Sequence, residues 1–328
     1  MEQGSRRVPT IMDIAAKSGL SKSVVSRALN GEAGVSPKSR ELVLSTATDL
    51  GYVANTLAQR MRSQRVDTIG VFVRDPASPF YGALLGATQA VARGRGVRLV
   101  TMTGAGEPDI SEEREALQAL LALRVDGLMV CSGVLPAETL ASYAERVPTV
   151  VVGRNDLPPQ VAGASCDDRD GTLQVVDHLL GLGHRDVLVP LVPAERAPSL
   201  HTRGEMVLDA LRLRGLDPLP VAVTRHADLI DVVRQASATA VVAPNDRWAV
   251  TLLEDPPHGG LSVTGYDGVG VYGSSLLGLT TLAQPIGAIA QSALSLVLDR
   301  LVDGHGPEHV RVRGTLRVGR STHALAPR

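Results

Sequence analysis

The stretch TIMDIAAKSGLSKSVVSRALNG, residues 10–31, decides how the rest of the chain is read. Thr10 stands where a helix needs its N-cap, with Asp13 three residues on in the first turn, and Gly19 supplies the left-handed position that ends the helix. Ser21 opens a second helix at once. At about 100° per residue, Val24, Val25, Ala28 and Leu29 fall in one apolar arc and Lys22, Ser23, Ser26 and Arg27 in the opposite one, so one face packs and the other is free. Asn30 and Gly31 close this helix. Ser36-Pro37 begins a third, with Ser at the cap and Pro at the first helical position, and Leu42, Val43, Ala47 and Leu50 are expected to complete a three-helix core.

A capped helix, a glycine-broken turn and a second helix with a free polar face form the pattern of a helix-turn-helix DNA reader. The segment closely resembles the N-terminus of the lactose-repressor (LacI/GalR-type) family. That family's run of a buried apolar residue, Ser, two variable positions and Thr-Val-Ser-Arg is met by Leu20-Ser21-Lys22-Ser23-Val24-Val25-Ser26-Arg27, with Val24 in place of Thr. The resemblance implies that Lys22, Ser23 and Arg27 read bases in the major groove, while Thr10, Ser21, Ser26 and Asn30 hold phosphates and fix register. Val24 exchanges a hydroxyl contact for a methyl group able to meet a thymine methyl.

Residues 50–65, LGYVANTLAQRMRSQR, resemble the family's hinge. Asn55 can cap a short helix running to Met61, and Arg60, Arg62 and Arg65 make its end basic. The resemblance implies that two such helices lie side by side in the minor groove with Asn55, Ala58 and Met61 on the DNA. Met61 stands where the family's wedging leucine enters the central base step; the alternative is a packed linker residue. Charge follows the same division. Residues 1–65 hold ten Lys/Arg against five Asp/Glu, a balance of +5, and the other 23 basic and 29 acidic residues leave the remainder at −6. The positive charge lies where DNA contact is expected.

From residue 67 on, short Val/Ile/Leu-rich runs alternate with helical patterns, which is the signature of parallel βαβ units. TIGVFV, VRLVTMT, DGLMVCS and PTVVVG read as strands, with helices at 80–93, 111–123 and 137–145, and a loop after the last. A second set follows: a helix at 171–182, DVLVPLV, a helix near 205–214, PVAVTR, ATAVVAP and LSVTGYD. The expected fold is an N-terminal all-α helix-turn-helix domain plus an α/β core of two doubly wound parallel-sheet lobes of the periplasmic-binding-protein-like kind. The expected domains are 1–53 for the reader, 54–66 for the hinge and 67–328 for the body. Within the body, lobe 1 covers about 67–165 and 285–314, and lobe 2 about 166–284 and 315–328. The family's motifs recur in order: RVDG at 124–127, HLLGLGHRD at 178–186, PND at 244–246, VTGYD at 263–267 and LTTLAQP at 279–285. The resemblance implies three crossings between lobes, near Cys166, Gln284 and Gly314.

Lobes of this kind bind small molecules at the carboxyl ends of their strands. Matching positions of the family's pocket are Phe80, Tyr81 and Arg154 in lobe 1 and Asn245, Asp246 and Asp267 in lobe 2, residues suited to a hydroxyl-rich ligand. Asn245 can instead cap the next helix. Three departures mark this chain. Gly153 replaces an acidic ligand contact, Leu200-His201-Thr202-Arg203 replaces the loop Ala-Arg-x-Arg, and residues 255–260 shorten the helix after Asp246. Either His201 or Arg203 can replace the missing arginine. With aromatics at 2%, sugar-stacking platforms are few, and the sole tryptophan, Trp248, reads as cleft lining or as core.

No nucleophile elbow, Walker loop or metal-ligand spacing is present, so neither an enzyme nor a cofactor or metal is indicated. Cys131 and Cys166 are far apart and read as reduced structural thiols. Absence of a long apolar run and of a signal segment points to the cytoplasm and away from a membrane or a secreted solute-binding protein. The expected partners are a pseudo-palindromic double-stranded DNA operator, a second copy of the chain in a homodimer, and a small sugar-like effector. The rival within regulation is a constitutive DNA-binding repressor with an empty cleft. A leucine-heptad tail is lacking, so a dimer rather than a tetramer is expected.

Overall fold

The computed structural model describes residues 9–52, 68–105, 109–256, 260–302, 304 and 306–325. It divides into two compact units, Met1–Arg65 and Val66–Arg328. In the first, α1 (Ile11–Ser18), α2 (Lys22–Leu29) and α3 (Pro37–Asp49) enclose Ile14, Val25, Ala28, Val43 and Ala47. Caps set the boundaries. Gly19 ends α1 at φ 70°, Ser21 Oγ accepts from the Val24 amide at the start of α2, and Ser36 Oγ accepts from the Ser39 amide ahead of Pro37 in α3. Leu42 does not join the core as expected; it is 44% exposed. Thr46, one helical turn on, is buried instead, because its hydroxyl donates to the Leu42 carbonyl (2.7 Å) and so needs no solvent partner. The hinge residues Asn55, Ala58 and Met61 lie outside the described residues.

The second unit opens with β1 (Thr68–Val73), α4 (Pro79–Gly94), β2 (Arg98–Thr103), α5 (Ile110–Ala122), β3 (Gly127–Cys131), α6 (Ala137–Ala144), β4 (Thr149–Val152) and β5 (Ala162–Cys166). It continues with α7 (Asp168–Gly181), β6 (Val187–Leu191), α8 (Pro198–Arg212), β7 (Leu219–Ala222), α9 (Leu229–Gln235), β8 (Ala240–Val242), α10 (Asp246–Glu254), β9 (Ser262–Asp267) and β10 (Thr280–Ala283). Last come α11 (Ile286–Val302), β11 (His309–Val312) and β12 (Thr315–Arg317). Two six-stranded sheets result, in the orders β11-β5-β4-β3-β1-β2 and β12-β10-β9-β8-β6-β7. Every pairing is parallel except β10 with β12. Buried on both faces, strands such as β1 carry continuous apolar runs rather than alternation.

The chain passes between the two sheets three times, from β5 to α7, from β10 to α11 and from β11 to β12. The crossings touch: a side chain at Gly314 would meet Cys166 Sγ and the Ala283 carbonyl. Gln174 of α7 clasps the third crossing, donating to the Gly314 carbonyl (3.1 Å) and accepting from the Leu316 amide (3.0 Å).

Two elements differ from the sequence expectation. The loop read after PTVVVG contains β5, which the small residues of AGASC disguise because they lack the usual β-branched run. The helix read near residue 205 begins at Pro198, so Leu200-His201-Thr202-Arg203 is helical rather than a loop. Proline at the first helical position, with its φ already suited, extends that helix a full two turns toward the lobe boundary.

Candidate DNA-reading face and interlobe cleft

Lys22 and Ser23 are exposed on the first turn of α2, with Arg27 one turn further along the same face. Arg27 lies along the helix, its Nε donating to the Ser23 carbonyl (3.4 Å). Ser21 is held by its capping role, and Val24 is half-buried at the edge of the face. Asn30 donates to Ser26 Oγ (3.5 Å) and to Glu32 Oε1 (3.2 Å). Thr10 gives both its amide (2.7 Å) and its hydroxyl (2.6 Å) to the Asp13 carboxylate, so Asp13 would have to yield before that hydroxyl could donate to a phosphate. This arrangement is a short rigid helix with a cationic, hydroxyl-bearing outer face, a surface able to enter a groove and donate hydrogen bonds.

In the body, the carboxyl ends of the strands of both sheets meet across a cleft. Ser199 of α8 donates to the carbonyl of Gly133, just past β3 (3.3 Å), and Gly270 approaches Pro79 at the start of α4. On the second-sheet side, Arg203 is buried and stacks on the Tyr266 ring, 3.8 Å from its centroid. Its guanidinium pairs with Asp168 (3.3 Å) and donates to the Pro244 carbonyl (3.1 Å). Asp168 also accepts from the Tyr266 hydroxyl (2.5 Å). Burial opposes the charge on Arg203, but the neighbouring Asp168 carboxylate overrides it and holds the guanidinium protonated more firmly than usual.

Asp246 is fully buried, one oxygen taking the Thr281 hydroxyl (2.5 Å) and the other the Gly268 amide (2.7 Å). Asp267 ends β9 at φ 134°, a conformation that costs a side-chain-bearing residue energy. Gln284 clamps it twice, its amide on the Asp267 carbonyl (2.9 Å) and its Nε2 on the carboxyl Oδ1 (2.8 Å). Burial, reinforced by the charge of Asp246, pushes the Asp267 carboxyl up to about 8, and burial lifts Asp246 to about 6. The Asp267 carboxyl therefore holds a proton more readily than a solvated carboxyl does, and in that form it can donate as well as accept.

The first-sheet side is built differently. Gly153 sits at φ 85°, and the Phe80 ring lies 3.0 Å from where a side chain at Gly153 would start. Phe80 packs edge-to-face on Tyr81, with centroids 5.1 Å apart. Burial pushes the Tyr81 hydroxyl up to about 12. Arg154 is 2% exposed and makes a two-pronged pair with Asp156 while donating to the Leu135 (2.6 Å) and Ser132 carbonyls. Glu113 of α5 accepts from Ser132 Oγ (2.6 Å) and faces Arg74 (3.5 Å); burial raises its pKa.

Of the residues matched from sequence, the structure brings Arg203, Asp246 and Asp267 into one group, and Phe80 and Tyr81 into another. His201 instead gives its ring Nδ1 contact to the Val192 carbonyl (2.9 Å), and Asn245 caps α10 by accepting from the Trp248 amide (3.2 Å). Arg154 is occupied within its own lobe. Trp248 is core, packed near His226. Sequence reasoning missed Asp168, Gln284 and Glu113. Gln284 lies inside the quoted LTTLAQP motif and Asp168 in the acidic start of α7, signals that were visible without indicating a partner. Cys131 and Cys166 are free and buried, their thiols pushed up to about 12 and about 11 by burial. Among the described residues no His/Cys/Asp/Glu group is arranged to hold a metal, and no helix is long and apolar enough to cross a membrane.

Residues 10–55 match the model of the lacI family of bacterial regulatory proteins, and residues 176–322 that of the periplasmic binding protein-like domain. The chain is 31% identical to the HTH-type transcriptional regulator GalS of Salmonella typhimurium over 88% of this chain and 89% of that one. It is 29% identical to the regulator PtxS of Pseudomonas plecoglossicida over 98% of each. Among solved structures, the lac repressor dimer bound to operator and the anti-inducer ONPF superposes with a TM-score of 0.82 at 23% identity, covering 97% of this chain and all of that one. The transcriptional regulator CelR in complex with cellobiose gives a TM-score of 0.66 at 25% identity, over 95% and 99%.

Proposed function

The chain belongs to the LacI/GalR family of DNA-binding transcriptional regulators and is not an enzyme, and from that premise we propose that it is a homodimeric cytoplasmic repressor whose hold on a pseudo-palindromic operator is set by a small sugar-like molecule between the lobes. The observation that carries the DNA half is the exposed face of α2. Lys22, Ser23 and Arg27 stand on a helix fixed at its start by Ser21, in a head of net positive charge. Lys22, Ser23 and Arg27 read bases; Ser21, Ser26, Asn30 and, once released by Asp13, Thr10 hold phosphates; Val24 meets a methyl group; and Asn55, Ala58 and Met61 work in the minor groove.

In the cleft, Asp267, Arg203, Phe80 and Tyr81 face the effector. Arg154, His201, Asn245 and Asp246, occupied by internal bonds, position them. The cellobiose complex of CelR and the name of a Pediococcus pentosaceus relative, sucrose operon repressor, support a sugar. An effector that prefers one lobe arrangement shifts the pairing of the hinge segments by its differential affinity for the two states, and operator affinity moves with it. The same internal bonds favour a second reading, a repressor with no ligand, which a search for any small molecule that stabilises the body separates from the first.

The direct test selects duplex fragments from genomic DNA and measures their binding by fluorescence anisotropy. Arg27→Ala removes a guanidinium able to pair bidentately with a base and is expected to weaken binding to the selected site by about 1–3 kcal/mol. Unchanged affinity refutes the assigned reading face.

A further inference from the structure

A second cavity, apart from the cleft, opens on the flank of the first lobe. There α5 and α6 cover one face of the first sheet and share the core of Leu117, Leu120, Leu140 and Tyr143. Between the two helices runs a groove of about 340 Å³, walled by Arg114 of α5, by Glu138, Thr139, Ser142 and Tyr143 of α6, and by Arg146 just past the end of α6. Its volume is that of a small-molecule site. These residues all belong to the first lobe, so the groove is independent of the reading given to the cleft.

Both guanidiniums of the groove are held by neutral partners. Arg114 donates from Nη2 to the Thr139 hydroxyl (2.7 Å), and Arg146 lies over the Tyr143 ring, 5.9 Å from its centroid. Elsewhere in this lobe Arg74 and Arg154 are neutralised by Glu113 and Asp156, but among the described residues Glu138 is paired with neither Arg114 nor Arg146. Thr139 is only 7% exposed and accepts the Arg114 bond, and its own hydroxyl proton has no acceptor among the described residues. The Tyr143 hydroxyl donates to the Arg114 carbonyl (3.3 Å), which ties the floor of the groove to α5. Burial raises the pKa of Tyr143, and the charges of Arg146 and Arg114 act against that rise, so both cations bear on the same spot.

An exposed guanidinium by itself holds a singly charged ion weakly, because water competes for it and salt screens it. Two guanidiniums and a hydroxyl proton together suit a group with close to double charge and three free oxygens. A phosphomonoester supplies that set, and a carboxylate, with two oxygens and one charge, does not. Glu138, which only accepts when ionised, disfavours a bare phosphate and favours hydrogen-bond donors on whatever carries it. We propose that the groove between α5 and α6 binds a small hydroxylated phosphomonoester, its phosphate between Arg114 and Arg146 with a bond from Thr139, and its hydroxyls toward Glu138.

Calorimetry on the full-length chain tests this with glycerol 3-phosphate and a panel of triose, pentose and hexose phosphates, beside inorganic phosphate, the neutral parent compounds and a phosphoserine peptide. At least one ester is expected to bind saturably, one molecule per chain, more tightly than inorganic phosphate, and its neutral parent should not displace it. Arg146→Gln and Arg114→Gln should each weaken that binding about tenfold or more, the effect of losing a charge-assisted hydrogen bond. Both side chains are exposed, so the unliganded variants should melt as the parent does. Asp267→Asn in the cleft and Arg27→Ala on the reader should leave the ester's affinity unchanged, which keeps this site apart from the other two. Silence across the panel, or equal affinity for inorganic phosphate, overturns the inference. So does a loss that follows Asp267→Asn or Arg27→Ala while the two groove variants bind as before. If the phosphoserine peptide alone binds, the occupant is a protein partner and the small-molecule assignment is overturned.

Discussion

Replacing Arg203 with methionine removes the guanidinium from the group of acidic residues on the second-sheet side of the cleft while keeping an unbranched apolar stem in its place. Three interactions go together: the pair with Asp168 (3.3 Å), the donation to the Pro244 carbonyl (3.1 Å) and the stack on Tyr266 (3.8 Å). Asp168, only 4% exposed, is left with the Tyr266 hydroxyl as its remaining donor. Breaking a buried pair by removing one partner costs about 3–5 kcal/mol. Methionine fills the volume of the arginine stem, which puts the expected loss near the lower end, about 3 kcal/mol. For a body of this size that lowers the melting temperature by roughly 6–12 °C. Trp248, the chain's only tryptophan, is buried in this lobe, so urea denaturation followed by its emission reports the unfolding of the right part of the molecule. Asp168→Asn removes the stranded charge, and the double variant should be more stable than the sum of the single losses predicts by about 1–3 kcal/mol. Additive losses, or a loss below about 0.5 kcal/mol for Arg203→Met, would show that the pair does not hold the site together.

Gly133→Ala places a methyl group 2.6 Å from Ser199 Oγ, forcing the serine to turn and the hydrogen bond between the lobes to break. A loss of about 1 kcal/mol from the closed arrangement is expected, visible as a larger radius of gyration in small-angle scattering; an unchanged radius sinks the latch. The pH dependence has two opposing parts. His178 and His184 have pKa values lowered by burial, so their contribution is present above 6.5 and lost as the pH falls through the lowered value. Asp267, raised to about 8, contributes stability that is fully present below about pH 4 and lost as the pH rises through 8. Asp267→Asn should flatten the alkaline side of a stability profile, and an unaltered slope there rules out its titration. Met61→Gly should weaken the selected operator complex while sparing binding to unrelated duplex; equal losses on both remove the wedge.

The reader was almost wholly legible in the sequence because its determinants are local. Caps at Thr10, Ser21 and Ser36, the break at Gly19 and the helical spacing of Val25 and Ala28 all act within a few residues, and helices of this length form where those signals stand. The alternation of apolar runs with helical patterns likewise declared a pair of parallel sheets. β5 escaped because burial, not composition, makes AGASC a strand: it is held between β4 and β11, and β11 arrives from about 150 residues away in the chain.

The cleft divides along the same line. The sequence determined which residues stand at the strand ends, since motif spacing sets that alone. Tertiary structure decided what each one does, because a charged side chain is governed by its nearest partner in space. Asp156 claims Arg154, Thr281 and Gly268 claim Asp246, and Phe80 fills the room beside Gly153. Among these, Asp267 keeps a carboxyl oxygen to offer, and the clamp that aims it comes from Gln284, on a segment that returns from the far side of the lobe.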